Sequence, residues 1–311
     1  MDQGLTYEFR AMASPCRLRI DGVAARDASA ARAAESAAAE VARIERKYSR
    51  YRPDSILSRI NAAAGSAAPV PIDEETAQLL RFAAQLHDAS EGLFDISSGV
   101  LRRAWDFRAG RLPTPDAVRA VLPLVGWQRV RLADGHVALP EAGMEIDLGG
   151  IGKEYAADRA ATVLREAGFD HGYVNLGGDI RLLGPMRDGR PWLLGIAHPR
   201  RPGALAAELL LSDGALATSG DYERYIDHGG RRYCHILDPF TGWPAQGWQS
   251  VSVVAPACVA AGALATIAML LGSGGPAFLR AQGVSHVLVD AHGELTRWCA
   301  DEEPAAAPSP A

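Results

Sequence analysis

Twice between residues 144 and 180 an apolar run stops at clustered glycines, and no other feature limits the fold so tightly. Met144-Glu145-Ile146-Asp147-Leu148 leads into Gly149-Gly150-Ile151-Gly152, and Tyr173-Val174-Asn175-Leu176 leads into Gly177-Gly178-Asp179. Both apolar runs read as strands. Glycines at a strand end let a ligand approach the backbone, and a helix starting there offers N–H groups to an anion. The first cluster opens a helical segment over 153–166, closed by Gly168. Lys153 falls in its first turn, where a cation opposes the helix dipole, so an anionic ligand gives it a reason to be there. If the fold brings the two turns together, they form a cleft. A tight turn accounts equally well for either cluster taken alone.

Neither common phosphate fingerprint fits. Asp147 stands five residues before Gly152, where a Walker A loop has glycine, and Glu154 follows the lysine. Tyr155 holds the third glycine position of a Rossmann fingerprint, which argues against a nicotinamide oxidoreductase.

The rest of the chain reads as mixed α and β. Cys16, Leu18 and Ile20 alternate with arginines as on a half-buried strand. An Ala-rich helix over 29–50 puts Val41, Ile44, Tyr48 and Tyr51 at helical spacing. Arg52-Pro53-Asp54 breaks it, and a short helix follows over 55–61. Asp73 is the N-cap of a helix carrying Leu79, Leu80, Ala83 and Leu86. Residues 105–140 are turn-rich. Strands return at 192–197, 215–218, 251–255 and 287–290. The Pro/Ala-rich tail, 301–311, is expected to be disordered. With no linker visible, the expectation is one α+β domain over 1–300.

A net charge of −5 gives no reason to expect nucleic acid as a partner. The four cysteines, Cys16, Cys234, Cys258 and Cys299, form no C-x-x-C pair and fit a reducing compartment. Residues 253–272 carry no charge. A helix over 257–271 is roughly 22 Å long, short of a hydrocarbon core of about 30 Å, so a buried core helix is expected and no membrane insertion. The N-terminus shows no basic segment followed by an apolar one, so a cytoplasmic location is expected.

Several motifs stand in one order. They are Met12-Ala13-Ser14; Tyr48-Ser49-Arg50-Tyr51-Arg52-Pro53-Asp54-Ser55 with Ile60-Asn61; Gly92-Leu93-Phe94-Asp95-Ile96; the stretch from Asp147 through Lys153-Glu154-Tyr155 to Asp158; Val174 through Gly177-Gly178-Asp179 to Ile180; Ala217-Thr218-Ser219-Gly220; and His235-Ile236-Leu237-Asp238-Pro239-Phe240-Thr241-Gly242. In this order, over roughly residues 8–290, the chain resembles the FAD:protein FMN transferases, or ApbE flavin transferases. The resemblance implies an α+β fold of antiparallel sheets and packed helices with a central FAD cleft. It implies Mg²⁺-dependent transfer of FMN from FAD to a Thr or Ser hydroxyl, with AMP released. The implied partner is an acceptor protein with a motif resembling D-G-x-T/S-G-A-T. Tyr51 would stack on or gate the flavin ring, and Met12, Leu93, Phe94 and Asp95 would line its pocket. Asp147 and Lys153 would contact FAD, Asp179 would support the pocket, and His235 would handle the proton or orient the phosphate. Without the resemblance, Tyr51, Met12 and Phe94 read as core residues, His235 as structural, and Asp147 and Asp179 as turn caps.

For Mg²⁺ the resemblance implies the Gly150 carbonyl and a D-x-x-x-T pair. Thr266 is present, but the aspartate position is Gly262. Asp238, Asp179 and Asp221 are candidate replacements, and Glu154 takes the place of a usual glycine. Two other functions are open: FAD hydrolysis to FMN and AMP, and flavin binding without catalysis, for which Gly262 argues.

Overall fold

The computed structural model describes residues 4–300, so the expected tail lies outside the described residues. Strands β1 (Gly4–Ala11) and β2 (Ser14–Asp21) form a hairpin joined by Met12 and Ala13 alone. Both turn residues have positive φ, 51° and 61°. This is the mirror-image turn whose twist suits a two-residue hairpin. Left-handed backbone costs a residue with a Cβ roughly 1–2 kcal/mol. Ala13→Gly is therefore expected to stabilise the protein by about 1 kcal/mol, net of the freedom glycine adds to the unfolded chain. A urea melt checks this: the midpoint rises at unchanged slope, and an unmoved midpoint removes the idea that the turn is strained.

Helix α1 (Ala28–Tyr48) begins where Asp27 accepts from the Ser29 and Ala30 amides. Its buried stripe is Ala30, Ala33, Ala34, Ala37, Val41, Ile44 and Tyr48. Alanines on this stripe, and Ala156, Ala157, Ala160 and Ala161 on α5 (Gly152–Glu166), let the two helices pack closely. Between them lie α2 (Ile56–Ala62), β3 (Val70–Pro71), α3 (Glu74–Ala89), α4 (Pro115–Val121), β4 (Arg131–Ala133) and β5 (His136–Ala138). Ser55 and Asp73 cap α2 and α3 through their side chains. The three short strands make a small sheet in the order β3-β5-β4.

The second half supplies β6 (Gly172–Leu176), β7 (Asp179–Gly184), β8 (Trp192–Ala197), β9 (Leu205–Leu211), β10 (Ala215–Gly220), β11 (Tyr225–His228), β12 (Arg231–Cys234) and β13 (Trp248–Ala255). After these come α6 (Cys258–Leu271), α7 (Gly275–Ala281), β14 (His286–Asp290) and β15 (Leu295–Trp298). The main sheet has eight strands in the order β1-β2-β6-β7-β10-β13-β14-β15, every pair antiparallel. Helix α5 packs on β6 and β7, and α6 on β10 and β13. The hairpin of β8 and β9 packs Trp192, Leu194, Ile196 and Leu209 against Ile180, Leu182, Leu216 and Val287 of the sheet. The fold is thus the expected mixed α+β arrangement.

The uncharged run is indeed a core helix, with Ala261, Ala263, Ala265, Ile267 and Ala268 fully buried on α6. Ala257 at its N-cap has no side-chain acceptor. Asp158 on α5 does the capping instead, its two oxygens each accepting at 2.9 Å from the Cys258 and Val259 amides. That bond pair locks the two helices that carry the site. All four cysteines are free.

One expected strand is absent. Residues 144–148 bury Met144, Ile146 and Leu148 but join no sheet. The Asn61 side-chain amide donates to Ile146 O at 2.9 Å and accepts from Ile146 N at 2.8 Å, and Asp147 N donates to Ile96 O. A side chain takes the place of a neighbouring strand, so the backbone is satisfied without a ladder.

Candidate active site

The two glycine turns do meet. Gly177 and Gly178, at φ 62° and 101°, turn the chain from β6 into β7, so that Asp179 begins β7 beside the first turn of α5. Lys153 Nζ lies 2.5 Å from Asp179 Oδ2, in ion-pair contact but off the line of a hydrogen bond. The ladder between β7 and β10 holds only Ala215 and Leu216, opposite Arg181 and Ile180. Past that point Asp179 Oδ1 accepts from Thr218 N at 3.1 Å. The carboxylate thus stands where the two strands separate. Thr266 on α6 shares a hydrogen bond of 2.9 Å with Ser219 on β10. The β1–β2 turn closes the near side, with Ser14 so tight on Gly177 that a Cβ there would fall 2.8 Å from its side chain.

Charge in this cluster is strongly perturbed. Burial alone would push the Lys153 ammonium down, but Asp179 and Glu154 outweigh it and hold it protonated. Burial, then the charge of Asp179, pushes the Glu154 carboxyl well up. Burial, with the charges of Glu223 and Asp179 behind it, raises the Tyr222 phenol to about 12. Burial first and Arg224 second push the His235 imidazole down to about 4, with a smaller contribution from Lys153. His235 is therefore neutral at pH 7, and its Nδ1 is sealed from water without a hydrogen-bond partner. A cation, a neutral imidazole and several hydroxyls in one electrostatically coupled cluster suit an anionic ligand and a proton transfer.

The other predicted residues fall around this cluster in different ways. Asp147 is fully engaged: Oδ1 accepts from Gly149 N, and Oδ2 takes Arg50 Nη1 at 2.5 Å. Asp95 is 7% exposed, and its oxygens accept from Ser97 N, Ser97 Oγ and Trp127 N. Its contribution to a pocket is to shape the loop that forms the wall. Phe94 packs beneath Gly150, whose absent Cβ would lie 3.3 Å from the ring. Met12 is half-buried against the main core. Leu93 lines a cleft of about 460 Å³ with Ser90, Glu91, Phe240, Leu271 and Phe278; Lys153, Asp179 and His235 lie outside it. Tyr51 is 71% exposed, which excludes a core role and leaves its ring free for a ligand.

Sequence reasoning assigned no role to Arg50, Tyr222 or Glu154. Arg50 ties the first glycine turn to the wall through Asp147 and the Gly99 carbonyl. It stood inside a quoted motif, which was the available signal. Glu154 was signalled by standing where the family pattern has glycine, whereas Tyr222 carried no signal beyond proximity to motif residues.

The fold and site define a class: an antiparallel sheet with helices on one face and a buried Lys153–Asp179 ion pair between two glycine turns. The chain belongs to the ApbE family, whose model matches residues 12–288. It is 36% identical over 247 residues to the FAD:protein FMN transferase of Treponema pallidum (strain Nichols), covering 73% of this chain and 68% of that protein. The ApbE protein of Thermotoga maritima superposes with a TM-score of 0.87 at 31% identity, covering 95% of this chain and 97% of that one. The flavin transferase ApbE of Vibrio cholerae superposes at 0.84 with 27% identity, covering 96% and 97%.

Proposed function

We propose that this chain is a flavin transferase that moves FMN from FAD to a Thr or Ser hydroxyl of an acceptor protein, within a segment resembling D-G-x-T/S-G-A-T. The observation that carries the reading is a buried, neutral His235 that feels the charge of Lys153, the partner of Asp179, in a chain of the ApbE family. The acceptor oxygen attacks the FMN-side phosphorus of FAD. A P–O bond forms to the hydroxyl, the bond to the AMP-side bridging oxygen breaks, and AMP leaves. The hydroxyl proton passes to the neutral imidazole of His235. Lys153 faces the phosphate oxygens and is kept in place by Asp179. Tyr51 lies against the flavin ring.

Magnesium fits the residues present. It takes hard oxygen donors, and α5 and α6 offer a buried, unpartnered carboxylate oxygen of Glu154 and the Thr266 hydroxyl, to which the family resemblance adds the Gly150 carbonyl. When bound, the ion screens the pyrophosphate and stabilises the charge that develops on transfer.

Purified protein incubated with FAD, Mg²⁺ and an acceptor domain bearing the motif is expected to leave flavin fluorescence on the denatured acceptor. EDTA is expected to abolish it. Release of free FMN without labelling replaces the proposal with FAD hydrolysis. Intact bound FAD replaces it with a flavin-binding protein.

A further inference from the structure

Gly262 is buried on α6, and the space beside it is filled. A Cβ on residue 262 would fall 2.6 Å from Glu154 Cγ and 3.0 Å from both Cδ and Oε1. The carboxylate arm of Glu154 reaches from the first turn of α5 into the volume a side chain at 262 would occupy. Glu154 is 8% exposed, and its Oε2 has no hydrogen-bond partner. Its neighbour Asp179 is 2% exposed. Thr266 lies one turn on from Gly262, on the same face of α6.

Two buried carboxylates side by side, with Lys153 the nearby cation, leave Glu154 Oε2 and Asp179 Oδ2 without a hydrogen-bond donor. Of the other candidate carboxylates, Asp179 is the ion-pair partner of Lys153 and accepts from Thr218 N, and the remaining two are engaged elsewhere. Asp221 is bidentate to Arg200 at 2.7 and 2.6 Å, and Asp238 caps its own turn at the Phe240 and Thr241 amides. Among the described residues no three His, Cys, Asp or Glu side chains gather to hold a metal. An ion here depends on one or two carboxylates, with hydroxyl, carbonyl, water and phosphate oxygens completing it.

We propose that Glu154 supplies the metal-binding carboxylate of this site, delivered from α5 into the space that Gly262 leaves on α6. The assignment rests on the Mg²⁺-dependent reading above. It gives both unusual residues one cause: the glycine at 262 makes room for the glutamate at 154, and an aspartate at 262 is incompatible with it.

The test is Mn²⁺ binding to the full chain, read from the electron paramagnetic resonance signal of free Mn²⁺, with and without FAD. Glu154→Gln is expected to weaken binding at least tenfold. The metal-free melting temperature of this variant should match or exceed that of the parent, because one buried acid is gone. Mn²⁺ should raise the melting temperature of the parent but not of the variant. Glu154→Gly with Gly262→Asp should restore binding, since the acid then comes from α6 into the vacated space. A Glu154→Gln protein that keeps the parent's Mn²⁺ affinity overturns the assignment and leaves the transferase reading standing. Acceptor labelling that persists in EDTA overturns the need for the cation, and the assignment with it.

Discussion

Replacing His235 with asparagine is expected to lower FMN transfer by about 10²- to 10⁴-fold, the usual worth of a positioned general base. Asparagine keeps a polar side chain of similar reach but cannot take up the proton. The apparent KM for FAD should change far less than kcat, because the loss concerns the transition state. The pH profile sharpens the test. Burial and Arg224 hold the imidazole near 4, below its ordinary 6.5. The basic form is neutral, so activity falls as pH drops through the folded value. The acid limb of kcat/KM for the free enzyme should therefore lie near pH 4 rather than 6.5. Stability follows the same sign: between about 4 and 6.5 the unfolded chain binds the proton that the native site refuses, so acidification destabilises the fold. His235→Asn should flatten that dependence. Transfer by the variant within tenfold of the parent removes His235 from the chemistry.

Lys153→Met is expected to cost about 3 kcal/mol of stability as well as activity. Breaking a buried pair by deleting one partner costs roughly 3–5 kcal/mol, because the remaining charge is left uncompensated. The low end applies here, since 29% of the Lys153 side chain is exposed against 3% for Asp179. Methionine preserves the length and apolar packing of the stem. The decisive comparison is the double variant with Asp179→Asn, which removes the stranded charge and should recover part of the loss. If Lys153→Met and the double variant unfold at lower denaturant by the same amount, the pair is not what stabilises this corner. Both variants should lose transfer, because the cation that faces the phosphates is gone.

Much of the scaffold was legible because its signals are local. The cap at Asp73, the stripe on α1 and the alternation of β8 depend on residues within a few positions of one another. Residues 144–148 show the limit. Their alternation is that of a strand, yet Asn61 supplies the hydrogen bonds a neighbouring strand would give. The hairpin of β11 and β12 escaped notice because it is largely polar and exposed, with Ile226 and Cys234 as its buried residues.

The same division runs through the site. Glycine turns, Lys153, Asp179 and His235 were readable because turn chemistry and motif order are written along the chain. The sequence by itself also showed that the acid expected at 262 was missing. Only the tertiary structure decided what fills that gap. Steric exclusion between α5 and α6 acts across a contact between residues far apart in the chain, and nothing in the local pattern around Glu154 or Gly262 carries it. The perturbed state of His235 has the same origin, because burial and the charge of Arg224 exist only once the cluster has closed around the ring.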